Sequence, residues 1–288
     1  MSMTVIIGAL ELGGIFAIMS LGLYISYKVL NLPDLTVDGS FTLGCAVSAV
    51  LTINGHPYLG LLVGMICGMI AGLVTGLLTT KLRIASLLAG ILTMTGLYSI
   101  NLKVMNDSPN ISLFGFPTIF SSLSFLGTYT RFILIIMILV VICLLLCYFL
   151  KTYLGLALRA CGDNEAMVKA SSIDADQMKI LGLALANGLV ALSGAIYAQH
   201  QSFADSQSGT GMMVIGLASI IIGMAFIKKD KISYQLIAVV VGAMIYRGIL
   251  TIALLLGLPS TDLKLLSALL VIVALILTKI KMRRHRVC

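Results

Sequence analysis

Long apolar runs separated by short polar stretches dominate the pattern along the chain. Several runs reach about 20 residues, the length at which a helix crosses a hydrocarbon core of roughly 30 Å. The runs are continuous and do not alternate, which favours helices over a transmembrane barrel. The pattern predicts an all-α integral membrane protein, a single domain over residues 1–288 with about nine transmembrane or partly re-entrant helices. The segments lie at about residues 4–27, 39–54, 57–80, 84–101, 131–150, 177–198, 212–227, 232–254 and 263–280.

Composition agrees with this class and excludes others. Only 10% of the residues are charged and the mean hydropathy is +1.10, whereas about a quarter of the residues of a soluble domain are charged. The net charge of +8 does not predict nucleic-acid binding, because the basic residues are scattered between apolar segments. The six cysteines show no CxxC spacing and no cluster has metal-ligand spacing, so we expect no metal site.

The distribution of Lys and Arg predicts the orientation. The basic C-terminal stretch "KIKMRRHRVC" should be cytoplasmic, since basic residues are retained on that side. Counting back through nine spans places the N-terminus outside. In this orientation 15 of the 19 Lys and Arg residues lie inside, and the opposite orientation would reverse the bias.

The third segment carries one glycine at every fourth residue. Such a stripe lets another helix backbone approach closely in lipid, where small residues create the contact. It therefore predicts close helix packing and no chemistry. The glycines are Gly60, Gly64, Gly68, Gly72 and Gly76.

The longest inside loop, residues 151–179, is expected to form two short helices. Gly162 would end the first in a left-handed conformation. Asp163 or Asn164 would cap the second, and Asp174 would cap the next span. A helical elbow of this kind is a candidate docking surface for a soluble partner. An ordinary connecting loop fits the pattern equally well.

Two stretches of this sequence carry a family resemblance. "GLALRACGDNEAMVKASSIDADQMKILGLALANGLVALSGAIYAQHQS" and "LGLYISYKVLNLPDLTVDGSFTLG" resemble the cytoplasmic loop with its following span, and the first loop, of ABC-importer permeases. The class is that of the branched-chain amino-acid and ribose importers. The closest likeness is to a bacterial subgroup linked to uptake of the aromatic amino acids tryptophan and tyrosine.

The resemblance implies a multi-subunit assembly in a bacterial cell membrane. Residues 151–176 would be the coupling segment, whose part 154–173 fits a groove on a separate ATPase through Arg159, Asp163 and Glu165. No GxxxxGK[ST] phosphate loop occurs in the chain, so ATP and Mg²⁺ are expected on the partner, and this chain is expected to be no enzyme. A second permease copy, giving a homodimer, and an external substrate-binding lipoprotein complete the expected set.

Comparison of the two halves suggests an inverted repeat. The polar stretch 31–40, with Asp34 and Asp38, precedes one short segment, and the stretch 200–211, with Asp205, precedes another. Paired interrupted segments point to a transport route, so spans 1–4 and 6–9 would be repeats on opposite sides of the membrane. Asp34 and Asp38 would serve gating or shape at the inner mouth. Locally, Pro33 would break the helix after Leu32, and Asp38 or Ser40 would cap the next.

Other polar residues inside spans are further pathway candidates. Glu11 either lines the route, or bonds across the dimer, or lies near the outer headgroups. Asn187 and Gln201 are similar candidates, Arg247 is a possible partner of Glu11, and His200 fits an interfacial hydrogen-bonding role. The rival function is a stand-alone secondary transporter in which Glu11, Asp34 or Asp205 carries protons.

Overall fold

The computed structural model describes residues 3–121, 129–227, 231–259, 262–263, 265–273 and 276. The helices are α1 (Met3–Leu23), α2 (Thr36–Ile53), α3 (Pro57–Thr80), α4 (Ser86–Val104), α5 (Thr130–Phe149), α6 (Tyr153–Asp163), α7 (Glu165–Ala170), α8 (Ala175–Gln201), α9 (Met212–Phe226) and α10 (Ile232–Leu255). A π-helical turn, Tyr24–Val29, extends α1, and two short strands are β1 (Asn110–Ser112) and β2 (Phe203–Asp205).

Seven helices in the described part of the chain are long and apolar enough to cross a membrane: α1 with its π-helical turn, α2, α3, α4, α5, α8 and α10. The all-α membrane class is therefore confirmed, but the count of nine is not. α9 has 15 residues and is too short by this measure. The ninth predicted segment, 263–280, lies partly outside the described residues, although 265–273 are helical.

The second predicted segment is longer than expected. α2 begins at Thr36, three residues before the predicted start, and its 18 residues count among the seven candidate spans. The first helix also ends earlier than the expected break after Leu32, because regular structure stops at Val29 and Asn31 takes a φ of +55°.

Helix α8 is the centre of the packing. The glycine stripe of α3 faces α2 and α8, and side chains at several of its positions would collide with the backbone of α8. A Cβ on Gly68 would lie 2.6 Å from the carbonyl oxygen of Asn187, and one on Gly76 would lie 2.9 Å from the Cα of Ile180. The opposite face of α3 exposes Leu62 and Ile66. Backbone contact on one face and exposed aliphatic side chains on the other suit a helix between protein and lipid.

The long helices α1 and α8 pack in a reciprocal manner. α8 packs against α2 and α3, and α1 packs against α9 and α10, while α1 and α8 also contact each other. α2 and α3 are neighbours, as are α9 and α10. Each long helix therefore packs against the helix pair that follows the other.

The strands join the end of α8 to the loop after α4. β1 and β2 are antiparallel, with Asn110 opposite Asp205 and Ser112 opposite Phe203. The backbone N–H of Ile119 donates to the Gln199 side chain at 3.0 Å. The described part of the loop is thus packed on α8. Residues 122–128, in the same loop, lie outside the described residues.

Candidate functional site

A buried polar network ties the first polar stretch to α8. The Asp34 carboxylate accepts from the backbone N–H of Thr36 at 2.9 Å and from the Asn187 amide at 2.7 Å. The Asn187 carbonyl oxygen in turn accepts from the Ser40 hydroxyl at 2.7 Å. Asp34 is 1% exposed and Asn187 is 0% exposed. These residues fix the start of α2 against the middle of α8, and they are enclosed within one chain.

A chain of hydroxyls continues this network toward α3 and α4. The Thr36 and Thr75 hydroxyls lie 2.7 Å apart, and Thr75 donates to Thr93 at 3.0 Å. Gly90 of α4 lies against the turn, where a Cβ would be 2.7 Å from the backbone nitrogen of Leu35. Four helices therefore converge on the turn that contains Asp34.

Asp38 does not cap its own helix, contrary to the sequence prediction, and Ser40 does not either. The N-cap of α2 is Leu35, which has no side-chain cap. The Asp38 carboxylate instead accepts from the backbone N–H groups of Gly211 and Met213 at 2.9 and 2.8 Å. A carboxylate there satisfies donors that the first turn of α9 leaves unpaired, and it complements the positive end of that helix.

The two polar stretches 31–40 and 200–211 therefore meet in the fold. Besides the bonds of Asp38, the backbone N–H of Gly209 donates to the Thr42 hydroxyl at 3.0 Å. The comparison of the two halves of the sequence predicts a pair of stretches on opposite sides of the membrane, and it does not predict that they touch. The starts of α2 and α9 are close neighbours.

Asp205 and Gln201 make only local bonds. The Asp205 carboxylate accepts from the backbone N–H of Gln207 at 2.7 Å, and the Gln201 amide donates to the Tyr197 hydroxyl at 3.4 Å. Both lie where α8 ends and the strand pair begins. Neither shares a hydrogen bond with Asp34 or Asn187.

Glu11 pairs with His200 and not with Arg247. Its carboxylate lies 2.9 Å from Nε2 of His200, and both side chains are about nine-tenths buried. Arg247 lies over the Phe16 ring at 5.6 Å, and its Nε is buried with no hydrogen-bond partner among the described residues. Glu11 is thus held between α1 and α8 within one chain.

Residues 151–176, the predicted coupling segment, fold as two capped helices. The Asn164 side chain accepts from the N–H of Met167, and Asp174 accepts from the N–H groups of Asp176 and Gln177. Those two predicted caps are correct. Gly162 is not the helix end: it lies inside α6, where any side chain would overlap the backbone carbonyl of Val29.

Glu165 is tied to lysines of its own chain. Its carboxylate binds Lys169 at 2.8 Å and Lys179 at 2.6 Å. The hydrogen bonds from Lys169 and Lys179 lower the pKa of Glu165 to about 2. Asp163 is exposed and Arg159 is half-buried. Of the three predicted partner contacts, Glu165 is the one that also holds α7 to the start of α8.

The coupling segment presents apolar side chains that sequence reasoning missed. Tyr153, Leu156 and Met167 are 72%, 52% and 56% exposed. Other residues of α6 and α7, namely Ala157, Cys161 and Val168, are buried against the start of α8. The sequence of α6 could have revealed these exposed residues, because this helix has more apolar residues than a single buried face can accommodate.

Residues 5–276 match the model of a family described as "Branched-chain amino acid transport system / permease component". The chain belongs to this permease family. The permease is therefore a multi-pass protein of a bacterial cell membrane and the membrane component of a multi-subunit transport system.

Similar proteins cover nearly the whole permease. A tyrosine transport system permease protein of Clostridioides difficile is 43% identical over 94% of this chain and 90% of its own length. An uncharacterised protein of Rickettsia prowazekii is 37% identical over 95% and 97% of the two chains. An autoinducer 2 import system permease of Salmonella typhimurium is 27% identical over only 42% of this chain. No solved structure gives a significant match.

Proposed function

We propose that this permease is the membrane-spanning subunit of an ATP-driven importer of an amino acid, with tyrosine or a related aromatic amino acid as its solute. The observation that carries the proposal is the 43% identity, over nearly both full lengths, to a permease named for tyrosine transport. The cargo would be delivered by an external binding protein. ATP and Mg²⁺ would bind a separate cytoplasmic ATPase.

The coupling segment supports an ATPase partner. Its apolar residues Tyr153, Leu156 and Met167 are exposed. In the cytoplasm these side chains would be more stable in contact with a protein partner than in contact with water. The ion pairs of Glu165 and the caps at Asn164 and Asp174 connect α7 with α8, so that a movement of the ATPase would be passed on to the membrane span. Arg159 and Asp163 supply polar contacts at its edge.

The reciprocal packing supports the inverted repeat and the alternating-access mechanism. Spans α1 to α4 would be one repeat, and α8 to α10 with the helix that follows would be the other, with α5 as connector. In this scheme the short α9 starts inside the membrane, where Asp38 caps it. The contact between α2 and α9 is then one of several through which a tilt of one repeat reaches the other, beside those that α1 and α8 make. Two permease copies would enclose the route.

The orientation with the N-terminus outside belongs to the same proposal. It places the coupling segment and most Lys and Arg residues in the cytoplasm, beside the ATPase.

Reconstituted transport tests the proposal. The permease is placed in proteoliposomes with its ATPase and its binding protein, and uptake of labelled tyrosine is measured. We expect uptake that needs ATP and stops with vanadate. Uptake that persists without the ATPase and collapses with the proton gradient would establish the secondary transporter instead.

The contact with the ATPase has its own test. Leu156→Asp places a charge in the exposed apolar surface of α6 without touching the buried face. We expect the ATPase to be lost from the purified complex while the permease stays folded. Full retention of the ATPase would show that the partner docks elsewhere.

A further inference from the structure

Two spans expose most of their surface but differ greatly in polarity. α4 and α5 each bury only 28% of their apolar window, yet the mean hydropathy of that window is 1.3 for α4 and 3.4 for α5. The exposed residues of α5, such as Met137, Val141 and Leu145, are apolar. α5 therefore suits lipid on its open side. Part of the polarity of α4 is buried, at Thr93 and Asn101. The helix also exposes polar residues, and these suit lipid less well than the apolar ones.

Three exposed polar residues in the middle of α4 form one stripe. Thr95, Tyr98 and Ser99 stand at i, i+3 and i+4, which places them on one helix face, and all three are exposed. We call them the polar stripe. The Thr95 hydroxyl donates to the carbonyl of Ile91 at 2.7 Å. Within the described part of the chain, the hydroxyls of Tyr98 and Ser99 have no hydrogen-bond partner. Lipid could not satisfy those two hydroxyls, whereas water or a polar ligand could.

The polar residues first expected along the route are placed differently. Asp34 and Asn187 are fully buried and bonded to each other, and Glu11 is buried against His200. A passing solute would have to break the fold of a single chain to reach them. The polar stripe is open without any such rearrangement. Lys103 is also exposed, about 12 Å beyond Thr95 at the rise of a helix.

We propose that the polar stripe of α4 lines the water-filled route of the solute and that Tyr98 contacts it. This inference rests on the proposed function. The occupant is a zwitterionic amino acid with an aromatic side chain. The ring of Tyr98 offers an offset or edge contact to that side chain. Ser99 offers a hydrogen bond to the ammonium or carboxylate group, and Lys103 attracts the carboxylate at the outer end.

Thiol labelling tests the water access of the stripe. Ser99→Cys is compared with Val141→Cys, an equally open position on α5, in the full reconstituted complex with a membrane-impermeant methanethiosulfonate reagent. The wild type supplies the background of the native cysteines. We expect Ser99→Cys to react at least 10-fold faster and excess tyrosine to slow it. Equal rates would overturn the inference, and so would disulfide formation between copies without labelling, which would mark a dry interface.

Transport kinetics test the contact of Tyr98. We expect Tyr98→Leu to lower ATP-driven tyrosine uptake at least 5-fold while complex assembly is kept, and Tyr98→Phe to restore more than half. Tyr148→Leu, at a 73% exposed tyrosine of α5, should transport at the wild-type rate. Wild-type uptake by Tyr98→Leu would refute the contact. Absence of ATP-driven uptake by the wild type would instead refute the proposed function. The difference in labelling rate between Ser99→Cys and Val141→Cys does not depend on the proposed function.

Discussion

The glycine stripe of α3 gives a graded prediction, because its members lie at different distances from α8. A Cβ on Gly72 would lie 2.8 Å from the carbonyl carbon of Leu183 and closer still to its oxygen. A Cβ on Gly64 would meet nothing nearer than the Cβ of Ala195 at 3.4 Å, an ordinary contact. Gly72→Ala should therefore destabilise the permease, and Gly64→Ala should not.

The magnitude follows from what has to move. The obstacle at Gly72 is backbone, so α3 must retreat from α8 by at least 0.6 Å for the carbonyl carbon of Leu183 to reach the same 3.4 Å. Overpacking of this kind costs about 1–3 kcal/mol. Both variants gain the same helix propensity, about 0.5–1 kcal/mol. The difference between them isolates the packing cost, and each kcal/mol corresponds to about 2–4 °C in melting temperature.

A thiol-reactive dye measures this difference. The chain has no Trp, but Cys45 and Cys161 are buried and become reactive when the purified protein unfolds. We expect Gly72→Ala to melt several degrees below Gly64→Ala, with Gly64→Ala at or slightly above the wild type. Equal melting temperatures for the two variants would refute the close approach of α3 and α8.

Three further predictions concern the polar sites. Asp38→Ala removes the cap of α9 and should cost about 0.5–2 kcal/mol, measured by the same melting assay, whereas Asp205→Ala should cost less because Asp205 makes only turn bonds; the reverse order would contradict the cap. Asn187→Leu leaves Asp34 with an unpaired buried oxygen and should cost at least about 1–3 kcal/mol, so an unchanged melting temperature would exclude this network. Glu165→Gln should loosen the coupling segment at neutral pH, seen as faster hydrogen exchange. Because the pKa of Glu165 is about 2, below its ordinary 4.5, the stabilisation is complete above pH 4.5 and is lost as the pH falls toward 2, so the variant and the wild type should converge over that interval.

Local chemistry made the helical class and two of the caps predictable. Apolar runs of spanning length need no tertiary information, and seven helices follow them. Asn164 and Asp174 cap the helices that start beside them, because a cap depends only on neighbouring residues. The pattern also drew attention to the pair of polar stretches, although it could not say that they touch.

The failures have a tertiary cause. Asp38 has the chemistry of a cap, but it caps α9, whose start lies 173 residues further along the chain. The sequence predicts a helix end at Gly162 because glycine commonly serves there, whereas its actual constraint is the backbone of Val29. Asn187 and Asp34 are 153 residues apart. No local signal specifies which distant helix a polar side chain will meet.

In the proposed function, ATP hydrolysis by a partner drives an amino acid through this permease. The most direct measurement is uptake of labelled tyrosine into proteoliposomes that hold the permease and the ATPase, with the binding protein added outside. We expect uptake against a gradient that requires ATP inside the vesicles and is abolished by vanadate. Uptake at the same rate without the ATPase or ATP would contradict it.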